Sequence, residues 1–121
     1  MFTTVKVSAL ALLSAVTASS NTPPTAYEDH YTMYCNSGAG INVTANDVDP
    51  DGDPLTVTSV SGSAALSWTI GSGSDGIVVV ATNTPNTGTH WGYYEVSDGQ
   101  GGTGHGQIIV NVIPGGPYCS Y

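Results

Sequence analysis

An all-β sandwich of about seven short strands is the fold class this sequence predicts, and three observations carry the prediction. Strand-like runs alternate with turn clusters from residue 27 to residue 113. Helix formers are scarce beyond residue 20, whereas Val, Thr, Ser and Asn abound beside 16 Gly and 7 Pro, a composition that favours short strands and turns. Several runs carry apolar side chains at every second position, the period of a half-buried strand. The chain of 121 residues is 40% hydrophobic, enough for one modest core and too little for two.

The runs are His30 to Cys35, Gly40 to Thr44, Leu55 to Val60, Leu66 to Ile70, Gly76 to Ala81, Trp91 to Ser97 and Gly106 to Ile113. Expected core faces are Ile41, Val43 and Ala45 in the second run, Leu55, Val57 and Ser59 in the third, and Ile108, Val110 and Val112 in the last. Tyr27 and Tyr31 share one face of the first strand and Tyr34 the other, while Trp91, Tyr93 and Tyr94 cluster on the sixth. Ser37 to Gly40, Asp51-Gly52, Gly71 to Gly76 and Asp98 to Gly102 supply glycine where turns demand positive φ. Seven short antiparallel strands over such a span match an immunoglobulin-like Greek-key sandwich, although the cysteine and tryptophan spacing of antibody domains is missing. Residues 21–26, stiffened by Pro23 and Pro24, read as an extended linker ahead of the sandwich at 27–113, and residues 114–121 form a cysteine-bearing tail.

Residues 1–20 have the plan of a secretory signal: one lysine, an apolar run from Val7 to Val16, then small residues Thr17 to Ser20. The alternative is a retained N-terminal segment that docks on a neighbouring subunit. No later stretch is apolar for the roughly twenty residues that a membrane span needs. Cys35 and Cys119 bracket the body of the chain, and an even pair in a small exported protein suggests a disulfide. A bond within the chain, a bond to another subunit and two free thiols all remain open.

Nine acids stand against one Lys+Arg, giving a formal charge of −8. That one cation is Lys6. Phosphate backbones and anionic lipid headgroups need cations to bind them, so nucleic acid and acidic membranes are excluded as partners. The histidines His30, His90 and His105 stand apart in sequence, with no H-E-x-x-H, zinc-type cysteine pair or G-x-S-x-G elbow around them, so no enzyme is expected. His90 reads as a surface pair with its neighbour Trp91.

The stretch Ala45-Asn46-Asp47-Val48-Asp49-Pro50-Asp51-Gly52-Asp53-Pro54-Leu55, with Thr56 to Val60 after it, and the later Tyr94-Glu95-Val96-Ser97-Asp98-Gly99-Gln100-Gly101-Gly102, resemble bacterial cadherin-like, immunoglobulin-like tandem-repeat domains. The resemblance extends from Pro23 to Ile113 and includes the paired acids Glu28 and Asp29. It implies an extracellular spacer or adhesion module, with related folds on phage virions. Two departures stand out: His90 and Gly92 flank Trp91 where the family tends to show an acid and an aromatic, and one copy is present instead of an array.

The chemistry can be argued separately. In a seven-stranded sandwich the loop between strands two and three, the loop between strands six and seven, and the start of strand one share one pole. Glu28, Asp29, Asp47, Asp49, Asp51, Asp53 and Asp98 gather there, seven of the nine acids, with Asn46 as a neutral oxygen donor. Like charges so crowded invite a hard divalent cation, which takes six to eight oxygens, and calcium is the expected one. The segment from Asp47 to Gly52 imitates the start of an EF-hand loop, but Thr58 stands where its bidentate glutamate belongs. Without a cation the cluster is a solvated acidic turn that caps backbone amides. A glycine-proline turn region is a poor place for a raised carboxyl pKa, which argues against an acid-base pair of the glycosidase type.

The expectation is therefore a non-enzymatic extracellular interaction module with protein partners. A virion decoration or filament subunit is the first alternative, in which residues 1–20 persist and a cysteine cross-links subunits. A secreted carbohydrate-binding module is the second, resting on exposed Trp68, Trp91 and Tyr93.

Overall fold

The computed structural model describes residues 20–71, 76–82, 86–116 and 119. The expected signal or docking segment falls almost wholly on residues 1–19, outside the described residues, and with it the choice between the exported and virion readings. Seven strands form two sheets: β1 (Asp29–Tyr34), β2 (Gly38–Asn42), β3 (Thr56–Gly62), β4 (Ser67–Ile70), β5 (Ile77–Ala81), β6 (Gly88–Ser97) and β7 (Thr103–Ile113). The four-stranded sheet runs β1-β7-β6-β3 and the three-stranded sheet β2-β5-β4. No helix among the described residues is long and apolar enough to cross a membrane.

The core lies between the sheets. Met33, Val57, Tyr94, Val96, Ile108, Val110 and Val112 come from one, Ile41, Val78 and Val80 from the other, and Val43 and Leu66 close the ends. Each buried aliphatic side chain contributes about 1.5–3 kcal/mol. Cys35 and Cys119 are bonded within the chain, their Cα atoms 5.5 Å apart. This resolves the three readings of the cysteines in favour of the intramolecular one.

Several expectations need correction. β1 pairs parallel to β7, from Asp29 opposite Ile108 to Tyr34 opposite Ile113, so the strands are not all antiparallel. β6 and β7 begin earlier than expected, because Gly88 to His90 pair with Val112 to Val110 and Thr103 to His105 with Ser97 to Glu95 down one long hairpin, although neither segment has strand-like hydropathy. The register of β3 against β6 shifts between Val57 and Ser59. That bulge turns Ser59 outward and Val60 inward, and Leu55 lies outside the strand. Ala45 is exposed in a turn. Tyr27 precedes β1 instead of sharing its face.

The segment 21–26 is docked and is no free linker. Thr25 and Val48 exchange both backbone hydrogen bonds, at 2.8 and 3.0 Å, and Pro24 is buried. A side chain at Gly102 would meet Asp98 and Pro23, and one at Gly104 would meet the Pro24 carbonyl. These glycines let the lead-in lie against the start of β7, which carries Asn21 and Thr22 to the acidic loops.

Candidate functional site

The acids expected at one pole divide into two groups. In the first, Asp49 and Asp53 of the β2–β3 loop meet Asp98 of the β6–β7 hairpin, one carboxylate oxygen from each lying within 4.8 Å of the others. Asp98 is 2% exposed. Its Oδ1 accepts the amides of Gln100 (2.8 Å) and Gly102 (2.9 Å), and its Oδ2 accepts Asn21 Nδ2 (2.9 Å). Gly99 and Gly101 adopt positive φ, which lets the hairpin turn back far enough to present those amides. The Asn21 hydrogen bond, then the Gln100 amide, hold the Asp98 carboxyl below its ordinary value.

Asp49 Oδ1 accepts the amides of Asp51 (2.8 Å) and Asp53 (3.4 Å), while its Oδ2 is buried without a hydrogen-bond partner. Asp53 is pushed up, first by desolvation and then by the charges of Asp49, Asp98 and Asp51. Asp51 is engaged at the rim, its Oδ2 accepting the Thr22 amide at 2.7 Å. A buried carboxylate oxygen without a partner costs free energy, and crowded carboxylates need a countercharge. The donor set of three carboxylates fits calcium, with carbonyls and water to complete six to eight oxygens.

The second group is Asp29, Asp47 and Tyr94. The buried Tyr94 hydroxyl donates to Asp47 Oδ2 (2.8 Å), with Oδ1 at 3.0 Å, and Asp47 Oδ1 also accepts the Tyr27 amide at 2.8 Å. A side chain at Gly106 would strike the Tyr94 ring, so the glycine on β7 makes room for the phenol. Burial, reinforced by hydrogen bonding to Asp47, drives the Tyr94 pKa well above the phenol range. Burial also pushes Asp29 up to about 6, with the Asp47 charge adding to it and Tyr94 and His30 opposing. A raised carboxyl pKa at this pole runs against the sequence expectation, because Asp29 begins β1, outside the glycine-proline turn, and burial desolvates it there. Asp29 Oδ2 is buried without a hydrogen-bond partner.

Glu28 and Asn46 join neither cluster. Glu28 pairs with His30 at 2.8 Å, and the Asn46 side-chain amide donates to the Glu28 carbonyl at 3.1 Å. Of the eight expected ligands, the structure thus brings three together. Sequence reasoning missed Asn21 and Thr22, whose contribution depends on a docking that composition does not signal.

The expected contact aromatics also separate. Trp68 packs against the core, donates Nε1–H to the Ser63 carbonyl at 3.0 Å, and lies where side chains at Gly62 and Gly92 would be. It is half-buried, its indole turned against the core. Trp91 (48% exposed) and Tyr93 (55% exposed) project from the outer face of the four-stranded sheet, whose inner face the Trp68 indole meets at Gly62 and Gly92. Beside them on that outer face, Ile109 stands opposite Trp91, His30 opposite Ile109, Gln107 opposite Tyr93, and His105 opposite Glu95.

His90 is not a surface partner of Trp91. It is half-buried, its Nε2 donates to the Asn86 carbonyl at 2.7 Å, and its Nδ1 lies 3.4 Å from Ser63 Oγ. Since a carbonyl only accepts, Nε2 carries the proton. Ser63 Oγ itself accepts the Ala65 amide at 3.3 Å. This serine and imidazole fasten a turn. A backbone carbonyl, not a carboxylate, orients the ring, so the pair lacks the acid of a catalytic triad.

Residues 21–111 match the family model of the bacterial Ig domain. No curated protein matches the sequence. Among solved structures, the chain is similar to a nucleoside hydrolase-related protein from Saccharophagus degradans that is associated with carbohydrate metabolism, at 18% identity and a TM-score of 0.54 over 78% of this chain and 26% of that one. It is also similar to an endo-fucoidan hydrolase of glycoside hydrolase family 107, at 23% identity and a TM-score of 0.56 over 74% of this chain and 13% of that one. The chain spans about a quarter or less of those proteins. At such identities the likeness is one of fold.

Proposed function

The chain belongs to the bacterial Ig domain family, and from that premise we propose that it is a non-enzymatic extracellular structural and interaction module whose loop end is stiffened by calcium. The family and the Cys35–Cys119 bond support the extracellular part, because disulfides persist in oxidising compartments. The single observation that favours calcium is the meeting of Asp49, Asp53 and Asp98 within 4.8 Å around a buried Asp49 oxygen that has no partner. Asp49, Asp53 and Asp98 would hold the ion, and its charge would tie the β2–β3 loop to the β6–β7 hairpin. The lead-in, held through Asn21 to Asp98, would be stiffened with them.

The test is thermal unfolding of the full chain in EDTA, in calcium and in magnesium. Calcium at ten times its Kd should stabilise by about 1.4 kcal/mol, which raises Tm by roughly 6–11 °C in a domain of this size. The same Tm in EDTA and in 10 mM calcium, a concentration of about ten times even a weak extracellular Kd, would refute the calcium reading. It would leave the family reading untouched.

A further inference from the structure

We infer that the outer face of the four-stranded sheet, centred on Trp91 and Tyr93, binds an uncharged polysaccharide. The two rings leave β6 on one side, separated only by Gly92, whose place on the inner side is taken by the Trp68 indole. As alternate strand positions, their Cα atoms lie about 6.8 Å apart, so the two rings offer adjacent aromatic surface on one face of the strand. The ring faces carry negative charge density, to which the weakly positive C–H groups of a pyranose are drawn. Trp68 fixes the floor beneath them: its indole packs against the core and its N–H is held by Ser63. The rings therefore stand on a rigid strand, which lowers the ordering cost of binding.

Around the rings, the cross-strand partners are polar groups suited to hydroxyls. Gln107 faces Tyr93 across the β6–β7 pair, Ser61 faces it across the β3–β6 pair, and His30 lies beyond Ile109. Glu95 accepts from Thr58 at 2.8 Å and pairs with His105 at 3.2 Å. Charge selects the occupant further. The only Lys or Arg of the chain is Lys6, and Glu28 and Glu95 rim this face. A sulfated, phosphorylated or uronate-bearing glycan would be repelled, whereas a neutral one is not. A protein partner needs a desolvated apolar centre, whereas the rings and Ile109 stand among Ser, Gln and His, and the exposed Tyr34 with Ile113 further along the face is separated from them by the polar row of Thr89, Asn111 and Thr32.

The test is isothermal titration of the full chain with cellohexaose, xylohexaose and mannohexaose, with polygalacturonate as the acidic control, all in EDTA so that the calcium reading is not tested at the same time. Binding to at least one hexasaccharide is expected. Trp91→Ala should weaken it at least about tenfold and Tyr93→Ala about threefold, with Trp91→Phe restoring part of the loss. Both side chains are exposed, so Tm should hold, and Tyr93→Ala tests the face should Trp91→Ala fold poorly. The proposal is overturned if no hexasaccharide binds at millimolar concentration, if polygalacturonate binds better, or if both alanine variants bind like the parent. A dimer in sedimentation velocity that Trp91→Ala dissolves would also overturn it, by assigning the face to a second copy of this chain.

Discussion

Two groups of carboxylates lie at one end of this sandwich, and the protein restrains them in opposite ways. Asp29 and Asp47 surround the buried Tyr94 hydroxyl, so one phenol proton satisfies Asp47 and desolvation raises Asp29 to about 6. Asp98 is instead charged and fastened by the Gln100 and Gly102 amides and Asn21, while Asp49 and Asp53 crowd against it. The first group is held by a donor of the core, and burial raises the Asp29 carboxyl pKa. The second is held by loop amides; each group leaves one buried carboxylate oxygen without a hydrogen-bond partner, Asp29 Oδ2 and Asp49 Oδ2, but among the described residues three carboxylates meet within 4.8 Å in the second alone. Residue type alone therefore does not identify a metal ligand; what matters is whether the fold has already supplied the countercharge or donor.

That contrast can be broken or sharpened by experiment. The largest effect, and the scale for the others, is replacement of Cys35 and Cys119 by alanine. The 84-residue separation implies a loss of about 4.5 kcal/mol by the chain-entropy model, to be read by urea unfolding, with the calcium response retained. Next is the titration of Asp29. Its folded pKa lies above the ordinary carboxyl value of 3.8, so the folded state holds the proton more tightly. Stability is fully present below pH 3.8 and is lost as pH rises through about 6. Two units correspond to about 3 kcal/mol, which solvent screening reduces to roughly 1–2 kcal/mol. Asp29→Asn should abolish the slope between pH 4 and pH 6, a window set by the two values above, and an unchanged slope in chemical denaturation would show that another group causes it.

Tyr94→Phe should cost about 1 kcal/mol by leaving Asp47 without its phenol donor, and should leave the calcium-induced rise in Tm intact. Loss of that rise would mean that the two groups act as one site. The smallest effect in the absence of metal belongs to Asp53→Asn. Removing a charge that its neighbours disfavour should slightly raise Tm in EDTA and abolish the response to calcium. Asp98 carries the opposite sign to Asp29: its folded pKa is depressed, so the stability it contributes is lost as pH falls through that value, below 3.8.

Much of the fold was legible because burial imposes a period on the side chains. Ile108, Val110 and Val112 alternate and are buried as their spacing requires. Where pairing outweighs hydropathy, the sequence was a weaker guide. Gly88 to His90 and Thr103 to His105 fall outside the expected runs, yet the first pairs with Val110 to Val112 and the second with Glu95 to Ser97. The parallel β1–β7 pairing depends on strand order, which alternation does not encode. At the site, Asp47 and Asp49 are two residues apart and look equivalent, but Val48 between them is clamped to Thr25 and Tyr94 captures Asp47 alone. Neither clamp is visible in the spacing of the acids, because each donor or partner comes from a distant segment.

The disulfide also fixes how the domain would carry mechanical load. Cys35 directly follows β1, its amide bonded to the Ile113 carbonyl at the end of β7, and Cys119 lies just beyond that strand. Tension entering before β1 and leaving at residue 119 would pass along β1, across the sulfur bridge and out. The chain between the cysteines, which are 84 positions apart in sequence, would hang from this covalent path as an unstretched loop. A pull could peel β1 from β7, but it could not extend the sandwich behind it, so the module would behave as a short tether of nearly fixed length.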